Sequence, residues 1–315
     1  MKTHALKYVL VTPARNEEAL IEQTIQSVIH QTLLPQKWVI VSDGSTDHTD
    51  EIVQKFLPEY PWIELVQLPP LTDRHFASKA RSFAAGFERL RELDWEVVGN
   101  LDADITFGPG YLNYLMTQFA SDPALGVAGT PFVDAGTAYD YRFTSLEHVS
   151  GACQLFRRQC YEQIGGYQAV RGGGIDWIAV TTARMKGWKT RTFLDQVCHH
   201  HRPMGTASRN RLRAAFKLGE QDYYLGGHPL FQIFRGVYQM SRQPLIVGGG
   251  ALIAGYFLGW LRGLPKPVSH ELISFHRKEQ TLRLKHKLRH TFGSAKDART
   301  LIEHHAARMN TNNTP

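Results

Sequence analysis

The sequence predicts an α/β fold, a sheet with helices on both faces, followed by a helical and basic C-terminal region. Three observations lead there. Short aliphatic runs alternate with helical periodicities through roughly the first hundred residues, the pattern of strand–helix–strand winding around a parallel sheet. A stretch of eighteen residues without a charge, Pro244–Leu261, comes late in the chain. The charge is uneven: the net value is +7, and from Pro265 onward ten Lys/Arg face four Asp/Glu.

The elements follow in order. Tyr8–Thr12 is a first strand, and because it meets Pro13-Ala-Arg-Asn-Glu-Glu at once it does not read as a signal peptide. Glu17–Gln31 carries Leu20, Ile21, Thr24, Ile25, Val28 and Ile29 on one helical face, with Asn16 placed to cap it. Trp38–Ser42 is the second strand, and His48–Leu57 a helix with Asp47 as its cap. Trp62–Gln67, a helix over Ser78–Leu90 and a strand at Val97–Leu101 continue the winding. Beyond them Gly126–Thr130, Ala152–Phe156 and Thr190–Leu194 read as strands, Ile175–Met185 and Arg209–Tyr224 as helices. The expected division is a sheet domain over 1–205 and a helical, basic region over 206–315.

Composition narrows the function. With 43% hydrophobic and 21% charged residues the chain is globular rather than disordered. Three cysteines, Cys153, Cys160 and Cys198, are odd in number and lack framework spacing, which suits reduced thiols in a cytosolic compartment. The basic surplus lies beside an apolar segment and no aromatic–basic reading motif accompanies it, so no nucleic-acid partner is expected.

In an open sheet of this kind ligands sit beyond the carboxyl ends of the strands, so chemistry is sought after Thr12, Ser42 and Leu101. Asp102 and Asp104 place two carboxylates at i and i+2 on a strand end. That costs free energy unless a cation or hydrogen-bond donors compensate, and a divalent metal bridging a diphosphate would do so. The plain alternative is a polar turn. Asp43 is suited to accept a hydrogen bond from a base N–H, Gly44 to turn the backbone, and Ser45 or Asp47 to start a helix. A capped strand–turn–helix junction is the alternative there, as an ordinary loop is for Pro13 to Glu18.

Taken together, Val11 to Glu17, Val41-Ser-Asp-Gly-Ser-Thr-Asp-His-Thr and Asp102-Ala-Asp104 resemble, in order and spacing, the inverting family 2 glycosyltransferases. The resemblance covers roughly residues 7–200 and implies the Rossmann-like GT-A fold, a mixed sheet with helices on both faces. It further implies that Asp43 reads the base, that Pro13, Ala14, Arg15 and Glu17 line the nucleoside site, and that Arg81 of Lys79-Ala-Arg-Ser reaches the nucleotide. Asp102 would contact ribose or metal, and Asp104 would hold Mg2+ or Mn2+ on the diphosphate. Ser42 stands where the family often has a first aspartate. Gly151-Ala-Cys-Gln-Leu-Phe-Arg-Arg and Ile164-Gly-Gly-Tyr match acceptor-side elements. Asp176, in Gly174-Ile-Asp-Trp, is the candidate base for the acceptor hydroxyl, with a helix N-cap as the alternative. Cys198-His-His-His reads as a loop; it lacks the spaced partner pair a zinc site needs, and His199 or His201 would lie near the metal or diphosphate.

The implied partners are a nucleotide-sugar donor (UDP-sugar favoured), a saccharide or lipid-linked acceptor, and a membrane surface. The alternative is a nucleotide-binding, membrane-associated scaffold without catalysis, which four retained aspartates argue against. The five glycines of Pro244–Leu261 argue against a soluble core helix, and basic flanks on both sides argue against a simple span. A re-entrant or interfacial segment at the cytoplasmic face, peripheral or monotopic, is therefore expected, with a single span as alternative. Gln280-Thr-Leu-Arg-Leu only partly matches the Gln-x-x-Arg-Trp of processive synthases, so a chain-extruding synthase is not expected.

Overall fold

The computed structural model describes residues 6–70, 77–134, 137–138, 145–202, 211–240 and 245–287. Two compact units divide the chain, residues 1–209 and 210–315.

The first unit runs β1 (Tyr8–Ala14), α1 (Ile21–Ile29), β2 (Lys37–Asp43), α2 (Thr49–Gln54), β3 (Ile63–Leu68), α3 (Ala77–Glu88), β4 (Val97–Leu101), β5 (Ile105–Thr106) and α4 (Tyr111–Ser121). It continues with β6 (Leu125–Gly129), β7 (Phe132–Asp134), β8 (Thr137–Ala138), β9 (Cys153–Arg157), α5 (Arg158–Ile164), α6 (Ile175–Met185), β10 (Lys189–Thr192) and β11 (Cys198–His200). Seven strands form one sheet in the order β10-β6-β9-β4-β1-β2-β3, and a small sheet takes the order β5-β11-β7-β8. In the large sheet β1 pairs parallel with β2 and β4, whereas β9 is antiparallel to both β4 and β6.

Alternation explains why β1 and β2 read as unbroken apolar runs. Tyr8, Leu10, Trp38 and Ile40 enter a core layer shared with Ile21, Ile25 and Val28 of α1 and with Leu112, Leu115 and Phe119 of α4. Val9, Val11, Val39 and Val41 point the other way, to Phe83 of α3, Tyr161 of α5 and Val180 of α6. A strand buried on both faces has no polar side to show. Since β2 and β4 lie on opposite sides of β1, the chain reverses direction of winding there. The crevice at the carboxyl ends of these three strands is the place such sheets offer a ligand.

The expected caps are replaced, and so is the alternative reading of Asp176 as a cap; α2 has His48 rather than Asp47 at its N-cap. Asn16 does not cap α1, whose N-cap is Leu20 without a side-chain bond. It sits instead at φ 55°, and its Oδ1 accepts the Thr46 N–H at 2.8 Å, tying the β1 loop to the β2 loop. At α6 the N-cap is Gly174, so Asp176 lies inside the first turn.

The second unit is helical: α7 (Arg211–Tyr224), α8 (Pro229–Met240), α9 (Val247–Leu261) and a helix α10 over 270–287. Contrary to expectation, the glycines of α9 sit in a packed helix. A Cβ on Gly255 would stand 2.0 Å from the Phe216 carbonyl oxygen, and one on Gly219 2.0 Å from that of Leu252. The glycines let α7 and α9 meet backbone to backbone. Arg235 pairs with Asp222, and Gln280 accepts the His228 N–H at 2.7 Å, which gives Gln280 a structural task. Among the described residues no helix is long and apolar enough to cross a membrane; Pro244 itself lies outside them.

Candidate active site

Three loops converge at the carboxyl ends of β1, β2 and β4. Backbone and side chains lock the first two together: Glu17 N–H donates to Thr49 Oγ1 at 2.7 Å and Glu18 N–H to Asp47 Oδ2 at 3.1 Å. Asp47 Oδ1 also accepts the Thr49 N–H and hydroxyl. Pro13 and Ala14 end β1 in register with Val41 and Ser42, which sets Arg15 beside Asp43.

Asp43 closes β2 and is 4% exposed. Arg81 Nη2 donates to its Oδ1 at 3.1 Å, and Arg15 Nη1 stands 3.8 Å from its Oδ2. Gly44 follows at φ 63°, and a Cβ there would stand 2.4 Å from Pro70 Cα. Only glycine satisfies both the backbone and the approach.

Asp102 and Asp104 flank the other side. Lys79 Nζ donates to Asp102 Oδ1, and Asn100 Nδ2 reaches the same oxygen at 3.3 Å. Burial raises the Asp102 carboxyl, Lys79 pulls it back, and Asp104 raises it again. Asp104, 8% exposed, has His200 Nε2 at 3.5 Å and Arg202 Nε at 3.9 Å from its Oδ2. Arg202 Nη2 donates in turn to Glu17 Oε2 at 2.6 Å. Burial pushes the Glu17 carboxyl up to about 7 against the pull of Arg202, with Asp104 and Asp102 adding to the rise. Glu17, Asp102 and Asp104 are thus one electrostatic cluster.

The histidines sort themselves. Cys198–His200 is strand β11 rather than loop, paired with β5 and β7. Alternation turns the His200 ring to Asp104. His201, the sequence candidate, gives its N–H to the Asp104 carbonyl at 3.0 Å and its ring to Thr106 Oγ1 at 2.8 Å. His200 and Arg202 also stand against Asp104 in this crevice, and sequence reasoning named neither.

Asp176 meets this cluster through Gly151. A Cβ at Gly151 would stand 2.9 Å from Asp176 Cβ, and the Gly151 carbonyl accepts Asn100 Nδ2 at 2.6 Å and Lys79 Nζ at 3.3 Å. Tyr167, whose hydroxyl donates to Gln154 Oε1 at 2.6 Å, is raised by burial, with smaller contributions from the charges of Asp176 and Asp102.

Buried polar atoms lacking a partner also gather here. Arg15 Nη1, Ser78 Oγ, Asn100 Oδ1 and His200 Nδ1 are four of the seven such atoms among the described residues. Native interiors leave few groups unpaired, so a concentration of them at one crevice points to a ligand. No group of three or more His, Cys, Asp or Glu close enough for a metal occurs among the described residues. The set that is present, the Asp104 carboxylate with His200 Nε2 beside it and Asp102 two residues away, fits a hard cation that takes its other oxygens from phosphates.

The family model described as glycosyl transferase family 2 matches residues 9–168. The β-monoglucosyldiacylglycerol synthase of Synechocystis sp. is 26% identical over 191 residues, 60% of this chain but only 38% of that relative's length. S. aureus TarS 1-349 in complex with UDP-GlcNAc superposes with TM-score 0.52 at 13% identity, covering 86% of this chain and 78% of that one. The mannosyltransferase PcManGT of Pyrobaculum calidifontis, in complex with GDP-Man and Mn2+, gives TM-score 0.52 at 19% identity over 90% and 81% of the two chains. The strand order, the crevice with its aspartates and a family match over half the sequence agree, and the chain belongs to glycosyl transferase family 2.

Proposed function

We propose that this chain transfers a sugar, with inversion, from a nucleoside diphosphate to a saccharide or lipid-linked acceptor, using a divalent cation, Mg2+ or Mn2+. One observation carries the reading. Asp43, Asp102 and Asp104 stand at the ends of strands on either side of β1, each matched by Arg15 and Arg81, Lys79, or Arg202 and His200. An acidic crevice balanced by cationic side chains suits a ligand that is itself anionic and brings a metal.

In this reading Asp43 takes the base, while Pro13, Ala14, Arg15 and Glu17 line the nucleoside. Asp104 and His200, with Asp102, hold the cation, which neutralises diphosphate charge when bound. Lys79 and Arg202, released from Asp102 and Glu17, are placed to meet phosphate oxygens. Asp176 accepts the proton of the attacking hydroxyl. Among the described residues its carboxylate has no hydrogen-bond partner, and it lies one glycine away from the Asp102 cluster. A carboxylate left free of partners suits a base.

Membrane association belongs to the same proposal. Of the fourteen exposed large apolar side chains among the described residues, eleven fall in the second unit. Leu230, Ile233 and Val237 form one face of α8, and Leu245 to Val247 and Trp260-Leu261 lie at the two ends of α9. With Arg262, Lys266 and the basic residues beyond, this suits peripheral or monotopic contact with anionic lipid at the cytoplasmic face. The test of the whole is a screen of UDP-, GDP- and dTDP-sugars for metal-dependent binding and hydrolysis. Binding by none of them defeats the proposal.

A further inference from the structure

Two carboxamides face each other near the end of the β4–β9 ladder. Asn100 of β4 pairs with Gln154 of β9, and both are buried, at 1% and 0% exposure. Each holds one carbonyl of the turn that precedes β9. Asn100 Nδ2 donates to the Gly151 carbonyl at 2.6 Å, and Gln154 Nε2 to that of Val149 at 2.9 Å. The Tyr167 hydroxyl donates to Gln154 Oε1 at 2.6 Å and so fixes that amide in turn. The turn is thus pinned to the ladder at two points.

Asp176 rests on this turn. A Cβ at Gly151 would stand 2.9 Å from Asp176 Cβ and 3.3 Å from its Cγ, so the α6 side chain lies where only a glycine leaves room. Asn100 Nδ2 also reaches Asp102 Oδ1 at 3.3 Å. One amide group therefore touches the Asp102 carboxylate and the support under the Asp176 carboxylate. Its other half is unpaired: Asn100 Oδ1 is buried with no hydrogen-bond partner among the described residues. A buried carbonyl left unpaired costs free energy, and a leucine of the same branching would avoid that cost. Residues that break a folding rule in this way are expected at functional sites. Lys79 Nζ bonds the same two acceptors, Asp102 Oδ1 and, at 3.3 Å, the Gly151 carbonyl. Once Lys79 turns to a phosphate, Asn100 alone holds the turn.

We propose that Asn100 is a positioning residue for transfer: through the Gly151 carbonyl it sets the place of the Asp176 carboxylate relative to Asp102. This rests on the reading of Asp176 as the base. A base must stand within hydrogen-bond reach of the proton it takes, and a displacement of about 1 Å costs on the order of a hundredfold in rate. Asn100→Leu keeps the branching and removes both donors, so the turn loses its tie to β4 and Asp176 its fixed support.

The experiment offers the full chain UDP-glucose, UDP-N-acetylglucosamine and GDP-mannose in Mn2+, reads hydrolysis, and keeps the donor turned over fastest. The natural chain, Asn100→Leu, Asp176→Asn and the double variant are then compared, and the matching nucleoside diphosphate is titrated into each. Asn100→Leu should lower kcat at least about tenfold while nucleotide affinity stays within about threefold. In the Asp176→Asn background it should add no loss beyond about threefold, because a residue that acts through Asp176 then has nothing left to position. A loss of folded protein would instead multiply in both backgrounds. Asn100→Ser, too short to span to Gly151, repeats the test should the leucine variant not fold. Gly151→Ala, which keeps Asn100 and presses on Asp176 directly, should show the same split between kcat and affinity. Normal kcat in the Asn100 variants or in Gly151→Ala, affinity that falls in step with kcat, or losses that multiply overturn the positioning role and leave the base standing. Normal kcat in Asp176→Asn overturns the base and this inference together. Turnover of no donor overturns the proposed function as well.

Discussion

Replacing Glu17 by glutamine separates two effects of opposite sign. Glu17 is 8% exposed and its carboxyl is raised from 4.5 to about 7, burial being the largest cause. A carboxyl raised in the folded state holds its proton more tightly there than in the unfolded chain. The stability this proton brings is complete below about pH 4.5 and is lost as pH rises through about 7. The full cost of ionising it in place is about 3 kcal/mol, of which roughly 2.5 develops between pH 5 and pH 8. The Arg202 ion pair at 2.6 Å opposes the rise and is already contained in that net shift. Arg202 is 42% exposed on its side chain, so solvent screens its share and the pair is worth little. Glu17→Gln keeps the shape and cannot ionise. Relative to the natural chain it should gain roughly 2.5 kcal/mol from pH 5 to pH 8, about 5 °C in thermal midpoint for a unit of this size. Scanning calorimetry at the two pH values reads the difference directly. A gap between variant and natural chain that stays constant, or shifts against the variant at pH 8, would refute the burial argument and make the Arg202 pair dominant.

Other outcomes follow from the same geometry. Asp176→Asn should leave nucleotide affinity unchanged and lower kcat about a thousandfold, the loss of a general base; near-normal turnover in a donor-hydrolysis or transfer assay excludes Asp176. Gly44→Ala forces a side chain onto φ 63° and against Pro70, which should cost about 2 kcal/mol in urea unfolding and weaken UDP binding, whereas unchanged stability would mean the turn relaxes freely. Co-sedimentation with vesicles containing anionic lipid should retain the chain, and Leu230→Asp with Val237→Asp should release it; equal retention of the variant removes α8 from the contact.

The sequence carried the site better than it carried its surroundings. Asp43, Asp102 and Asp104 were legible because each ends an apolar run, and a carboxylate in that position stands out against its strand. The antiparallel course of β9 was not legible, since a residue pattern such as Cys153–Arg157 is the same in either direction. The strands β5, β7, β8 and β11 have two or three residues each, and they exist by pairing with one another rather than by local preference. That is why Cys198–His200 read as loop and why His201 was named rather than His200: alternation along a strand decides which ring faces Asp104. Arg202 touches Glu17 across 185 positions of sequence, a contact no local pattern announces. Asn16 looked like a cap because the residue type is right; its left-handed backbone and its bond to Thr46 are tertiary facts. In the second unit the glycines of α9 were read as breakers, and packing against α7 turned them into contacts.

The central claim is that a cation held at Asp104 joins a nucleoside diphosphate to this crevice. Isothermal titration of the full chain with UDP, in Mn2+ and then in EDTA, for the natural chain and for Asp104→Asn, tests it most directly. The account predicts binding in Mn2+, a loss of at least about tenfold in EDTA, and an Asp104→Asn variant that binds in Mn2+ no better than the natural chain does in EDTA. UDP affinity indifferent to both the chelator and the substitution would contradict it.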